Sequence, residues 1–193
     1  MAKKKYEFKP DKTPSAFANW LYLTKKQRQS ILKWLLYGLV LLVLSVLQDV
    51  FLCRFRLLGA TTELVPVGIF LICLLVGMER GCIFALASAC LYLFSGTAAG
   101  TYSIVFITVL SVLVTWLRQS YLQKGFAPAM LCTALAMAVY ELGVFAIGLF
   151  LGLTTGGRIL GFAVTTGLSL VAAPVLYPIL LAIGRIGGEE WKE

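Results

Sequence analysis

The sequence predicts an all-α fold: a polytopic transmembrane helix bundle of about six spans. Three observations point to it. Of the 193 residues, 60% are hydrophobic and only 13% charged, against about half and a quarter in soluble domains. The charges are crowded toward the ends. Residues 1–33 hold nine Lys/Arg and two Asp/Glu, residues 34–184 six and four, and residues 185–193 two and three. The apolar middle also breaks into segments near the roughly 20 residues a helix needs to cross about 30 Å of hydrocarbon. This pattern excludes a soluble enzyme, a disordered regulator and a secreted disulfide scaffold. It divides the chain into a basic cytoplasmic head (1–32), a six-span membrane domain (33–184) and a short cytoplasmic tail (185–193).

The head has two parts. Residues 1–12 are charged and carry no apolar periodicity. Thr13-Pro14-Ser15 reads as a helix start with Pro in an early position. Phe17, Trp20 and Leu21 then fall on one face, which suits an interfacial helix over 15–24. Lys25, Lys26, Arg28 and Lys33 follow, with Trp34 and Tyr37 beyond. Basic side chains and aromatic rings beside a span fit an anionic inner leaflet, at about 1 kcal/mol per basic residue. These four cations are the membrane-surface candidates, with anionic lipids as their partner. A topology signal with no other role explains the same residues. Positive charge beside a span needs no nucleic-acid partner, and none is expected. The first apolar run begins near Trp34, too late for a signal peptide, so the first span is expected to stay in the mature protein.

Six spans are expected, at about 33–52, 63–78, 81–96, 101–118, 128–152 and 159–184. The second and third are short and separated by Met78-Glu79-Arg80-Gly81. They read as two short crossing helices joined by a tight turn, or as a re-entrant pair. Placing both termini in the cytoplasm puts 14 Lys/Arg inside and three outside (Arg54, Arg56 and Arg158), in accord with the positive-inside rule. Arg118 counts among the inside charges. Pro174 and Pro178 interrupt the last span and predict a kink.

Few residues offer chemistry. There is no histidine, which removes His-based metal sites, bases and proton relays. The five cysteines form no C-x-x-C pair and read as small buried packing residues. No phosphate-binding loop, G-x-S-x-G or H-E-x-x-H motif occurs. No catalytic residue, metal or cofactor is expected. Glu141 stands apart, near the middle of the fifth span. A carboxylate at the bilayer centre costs about 2.5–3.5 kcal/mol on insertion scales, so it must face the interior, a cavity or a partner helix. A structural hydrogen bond to Ser88, Tyr92, Tyr102, Thr165 or Thr166 is the plainer explanation, and a transport-like or catalytic role the other. Asp49, Glu63 and Glu79 lie at span ends and read as solvated charges. No pair of carboxylates has a spacing that suggests acid/base work. Small residues recur at intervals of four at Gly81, Ala85 and Ala89, at Ala134 and Ala138, and at Gly148 and Gly152. Such stripes allow close helix approach. Ser95-Gly96 and Gly100 permit a tight turn between spans three and four, or line a pocket.

From about residue 40 to 186, the landmarks stand in a familiar order. Leu47-Gln48 ends the first span, and Leu57-Leu58-Gly59 precedes Glu63 and Pro66. Gly81 through Gly96 is followed by Gly100, and the fourth span closes on Leu117-Arg118. Tyr140-Glu141 lies in the fifth span, and Pro174 with Tyr177-Pro178 in the last, which ends at Arg185. In this order the chain resembles the bacterial rod shape-determining protein MreD family. It departs from the family at an acid before the Ser-Gly turn, which is Tyr92 here, and at glycines that are Ala85 and Ala89 here. The resemblance implies a non-enzymatic component of the cell-elongation complex in the bacterial cytoplasmic membrane. Its implied partners are MreC, MreB and the peptidoglycan synthases, and its role is to support lateral wall synthesis and cell shape. It also implies that Glu141, Tyr92, Ser95, Gly96, Gly100, Arg118, Gly148, Gly152 and Pro174 are candidates for partner binding or for the intramembrane polar site. The rival class is the substrate-binding membrane subunit of energy-coupling-factor vitamin transporters, whose six-span architecture such a chain is expected to share. Those subunits dock through an alanine stripe on the first span, and residues 31–52 contain no alanine. A membrane-embedded lipid enzyme lacks its Asp/His clusters here.

Overall fold

The computed structural model describes residues 25–54, 60–121 and 125–186. The proposed interfacial helix at 15–24, the side chains of Lys25 and Lys26, the Leu57-Leu58-Gly59 landmark and the tail beyond 186 lie outside the described residues. Those described form six α-helices and no strand: α1 (Lys25–Val50), α2 (Leu64–Val76), α3 (Met78–Phe94), α4 (Tyr102–Tyr121), α5 (Phe126–Phe150) and α6 (Ile159–Gly184). Short 3-10 turns at Leu52–Arg54 and Gly156–Arg158 follow α1 and precede α6.

Four helices are long and apolar enough to cross a membrane, over Gln27–Val50, Tyr102–Ser120, Phe126–Phe150 and Gly156–Gly184. The expected count of six therefore holds for the helices but not for full-length spans. At 1.5 Å per residue, the 13 residues of α2 reach about 20 Å, short of the hydrocarbon thickness.

The short helix is the hub. α2 packs against each of the other five helices, and its residues from Leu64 to Leu75 are all buried. This explains its sequence. A helix apolar all round has no lipid or water face to mark and belongs in a core. By contrast, α1 turns Leu35, Leu39, Leu42, Val43 and Val46 outward, as a peripheral helix in lipid does. Gly68 lets α1 close on α2, because a Cβ there would lie 2.9 Å from a Leu44 methyl group. On the other side, Gly81, Ala85 and Ala89 are buried, and a Cβ at Gly81 would meet the Cys73 carbonyl at 3.3 Å. The small-residue stripe of α3 thus seats it on α2, inside the molecule.

The connection between α2 and α3 is tighter than expected. Gly77 alone separates them, at φ +97, a region that favours glycine. Met78, Glu79 and Arg80 already belong to α3. The expected Gly148/Gly152 helical stripe is also corrected. α5 ends at Phe150, and Gly152 sits at φ +69 beyond it. The Leu153 N–H donates to the Gly148 carbonyl at 2.8 Å and the Gly152 N–H to the Leu149 carbonyl at 3.1 Å. That pair of bonds is a Schellman cap, so the two glycines end the helix. α6 continues as α-helix through Pro174 and Pro178, and both prolines face outward.

Tyr37 ties the periphery to the core. Its ring lies wholly buried beside Trp34 and Phe84. Its hydroxyl donates to the Leu180 carbonyl of α6 at 3.4 Å, and Gly184 leaves room for it.

Candidate functional site

A helix as short as α2 leaves its end groups inside the layer, where no water can satisfy them. Other helices supply the partners. At the N-terminal end, Gln48 of α1 places its Oε1 to accept from the Leu64 N–H at 2.8 Å and the Val65 N–H at 3.0 Å. Ser169 of α6 accepts from the Glu63 N–H at 2.8 Å. Pro66, in the first turn, lacks an N–H where none is needed. At the C-terminal end, the Arg118 guanidinium of α4 donates to the Leu74 carbonyl. Arg118 is only 6% exposed. It was expected as an inside topology charge; the structure makes it an internal helix cap.

Around the N-terminal end of α2, a polar cluster forms. Glu63 sits at the N-cap position with no capping bond from its own side chain. Tyr92 of α3 and Tyr140 and Glu141 of α5 are buried beside it, Tyr92 at 1% and Glu141 at 3% exposure. Tyr92 lies within electrostatic reach of Glu63, Tyr140, Gln48 and Glu141, and Glu141 within reach of Glu63. The Tyr140 hydroxyl makes a long 3.5 Å approach to Ser103 Oγ of α4.

The expected structural hydrogen bond to Glu141 is not made. Ser88 bonds the Phe84 and Ala85 carbonyls, Thr165 that of Gly161, Thr166 that of Phe162 and Tyr102 that of Ala99. Each of these hydroxyls is spent on its own helix or turn, Tyr92 pairs with Glu63 and Gln48, and Glu141 Oε1 is buried with no hydrogen-bond partner.

Two further expectations are corrected. Glu63 is not a freely solvated end charge: the residue is half-buried and its Oε2 is closed off from solvent. Asp49 Oδ1 is likewise sealed, whereas Glu79 is exposed as expected. Glu63 and Glu141 lie within electrostatic reach of one another, which the linear spacing conceals. Gln48, Ser103, Tyr140 and Ser169 were not singled out as site residues. Only Gln48, a polar residue near the end of an apolar run, carried a local signal.

Neither a family model, nor a curated protein, nor a solved structure matches this chain.

The remaining candidates divide by place. Ser95 ends α3, bonding the Tyr92 carbonyl at 2.8 Å and sharing a 2.9 Å hydrogen bond with Thr97. Gly96 (φ +78) and Gly100 (φ +158) shape the turn that follows. They close the loop beside Tyr92 without adding a polar group to the cluster. Pro174 faces outward, and Gly148 and Gly152 cap α5. Arg28 is exposed and Lys33 half-buried on α1. A groove of about 310 Å³ runs between α5 and α6. It is lined by Glu141 with Leu142, Phe145, Ile159, Phe162 and Thr166 among others. Among the described residues, no group of three or more His, Cys, Asp or Glu is placed to hold a metal ion.

Proposed function

We propose that this chain is a membrane component of the bacterial cell-elongation complex, of the MreD kind. On this reading it acts by binding MreC and other members of the complex and performs no catalysis. It lies in the cytoplasmic membrane with both termini in the cytoplasm. The observation that carries the reading is a convergence. Gln48, Glu63, Tyr92 and Tyr140-Glu141 stand at landmarks of the resemblance, or at its one acid departure, and they meet in one cluster around the start of α2. The outward faces of α1, α5 and α6 remain for partner helices.

Crosslinking and co-purification from native membranes tests this. Recovery of MreC with wall-synthesis enzymes is the expected result. Absence of those proteins, with a transporter ATPase or a tightly bound small molecule in their place, overturns it.

One observation favours a second reading, a substrate-binding transport subunit. The groove between α5 and α6 counts a buried acid, Glu141, among its lining residues. Against it stands α1, which offers no alanine stripe for docking on a coupling subunit. The same co-purification separates the two.

A further inference from the structure

The groove between α5 and α6 is built from one face of each helix. Its wall on α5 is Ala138, Glu141, Leu142 and Phe145, and the wall on α6 keeps the same spacing from Ile159 to Thr166. Phe145 and Phe162 join the walls edge to face, with ring centroids 5.1 Å apart. Ala138 and Ala163 leave the space between them unfilled, about 310 Å³ in all. Each wall runs for about 10 Å at 1.5 Å per residue. That is two turns of helix, the length over which the ridges of a third helix settle into a groove. Gly167, one turn beyond Ala163, is exposed with open space around it, so the surface for close approach continues along α6.

The floor of this groove carries an acid. Glu141 lines it yet is almost fully buried. Among the described residues lining the groove, it alone has a buried side-chain oxygen without a hydrogen-bond partner. The donors nearby are engaged elsewhere: Tyr92 with Glu63 and Gln48, Tyr140 with Ser103, and Thr166 with the Phe162 carbonyl. The charged group that acts on Glu141 from within is a second acid, Glu63.

The groove and its acid together select the occupant. Lipid tails fit the shape but offer no donor. Headgroups offer donors, but Glu141 lies nine residues from the end of α5 at Phe150, roughly 14 Å from it. A second copy docked through α1 or α6 presents Leu39, Leu42, Val171 or Val175, again without a donor. A helix from another protein meets both demands. Its ridges fill the groove, and one polar side chain reaches the acid. Small residues and interhelical hydrogen bonds are what hold helices together in lipid.

We propose that the groove between α5 and α6 seats a single transmembrane helix of a partner protein, which hydrogen-bonds Glu141 through an Asn, Gln, Ser, Thr or basic side chain. This narrows the partner-binding reading above and rests on it.

The test places p-benzoylphenylalanine at Leu142 or Ala163 in the groove, and at Leu39 on the outward face of α1, in the full chain in native membranes. Irradiation should join both groove positions to a transmembrane segment of one other protein, at several times the yield of Leu39. Peptide mapping should place the adduct within one turn of a donor side chain. Glu141→Leu should lower the Leu142 adduct tenfold or more. Replacing the mapped donor by Leu should lower it equally, with no further loss in the double variant. Glu141→Gln keeps an acceptor and should retain the adduct. If Glu141→Leu fails to fold, Ala163→Trp carries the test: it fills the groove from an exposed position and should abolish the Leu142 adduct at unchanged Tm. Adducts with lipid or with a second copy overturn the proposal. So do adducts no stronger than at Leu39, or adducts that survive both Glu141→Leu and Ala163→Trp. If MreC co-purifies while the groove positions stay unlinked, the groove assignment fails and the partner reading stands. If the mapped helix belongs to a protein outside the elongation complex, the reverse holds.

Discussion

Gln48 accepts the N–H of Leu64, 16 residues away, at 2.8 Å, and with it the N–H of Val65 at 3.0 Å. One side-chain oxygen on α1 thereby does for the start of α2 what water does for a helix in a soluble protein. Gln48→Leu keeps the size and removes the acceptor, orphaning two buried amides. Each orphan costs about 1–3 kcal/mol. The expected outcome is a loss of at least about 2 kcal/mol in a detergent unfolding titration, with α-helical circular dichroism retained under native conditions.

Arg118 plays the matching part at the other end, donating to the Leu74 carbonyl. Arg118→Leu should destabilise by about 1–3 kcal/mol. Arg28→Ala, on the exposed side of α1, should stay within about 0.5 kcal/mol. A topology signal makes a different prediction. If Arg118 only orients the chain, its loss shifts the membrane sidedness of a C-terminal reporter and leaves unfolding unchanged. Measuring both quantities on one variant separates the roles.

Gly143 sits two residues from Glu141, where a Cβ would lie 2.5 Å from the Phe106 ring. Gly143→Ala must therefore push Phe106 aside. Overpacking of this kind costs about 1–3 kcal/mol. Phe106→Leu should recover most of the loss in the double variant, and a double-mutant cycle reads that coupling directly. Gly167→Ala, with open space around it, should cost nothing and gain a little from helix propensity.

Much of the bundle was legible because it depends on local pattern. The last span was expected at 159–184, which is the extent of α6, and the fourth at 101–118 matches α4 within three residues. Long apolar runs bounded by Gly, Pro and charge carry that information in themselves. Three features did not lie in local pattern. Glu63 at the edge of an apolar run looks solvated, yet it is half-buried, with Oε2 closed off and Tyr92 of α3 as its partner. Gly148 and Gly152 are four apart whether they form a stripe or a cap, and only the chain direction after Phe150 decides. Arg118 reads as an inside topology charge or an intramembrane polar candidate, and its capping role shows only once the length of α2 is known. In each case the deciding partner lies on another helix or past a turn.

Cysteine reactivity probes the packing cheaply. Cys73 and Cys132 are buried, and Cys73 donates its S–H to the Gly81 carbonyl at 3.4 Å. Cys82 and Cys90 are only half-buried on α3. In single-cysteine variants, a small membrane-permeant maleimide should leave Cys73 and Cys132 unlabelled until the protein unfolds. Labelling of Cys73 as fast as Cys82 in the native state contradicts the central position of α2.

The reach of α2's caps has a consequence for how the chain is made. Its hub helix emerges from the ribosome early, when α1 is the only described helix before it. Arg118 follows Leu74 by 44 residues, and Ser169 follows Glu63 by 106. During that interval the nascent hub holds unmet backbone groups, and Gly77 ties it to α3 as a hairpin. The newborn protein therefore depends on its last helix to seal its second, and biogenesis completes only when the C-terminal segment arrives. A chain truncated before Ser169 should be cleared by membrane quality control even though all the helices around its hub but one have been synthesised.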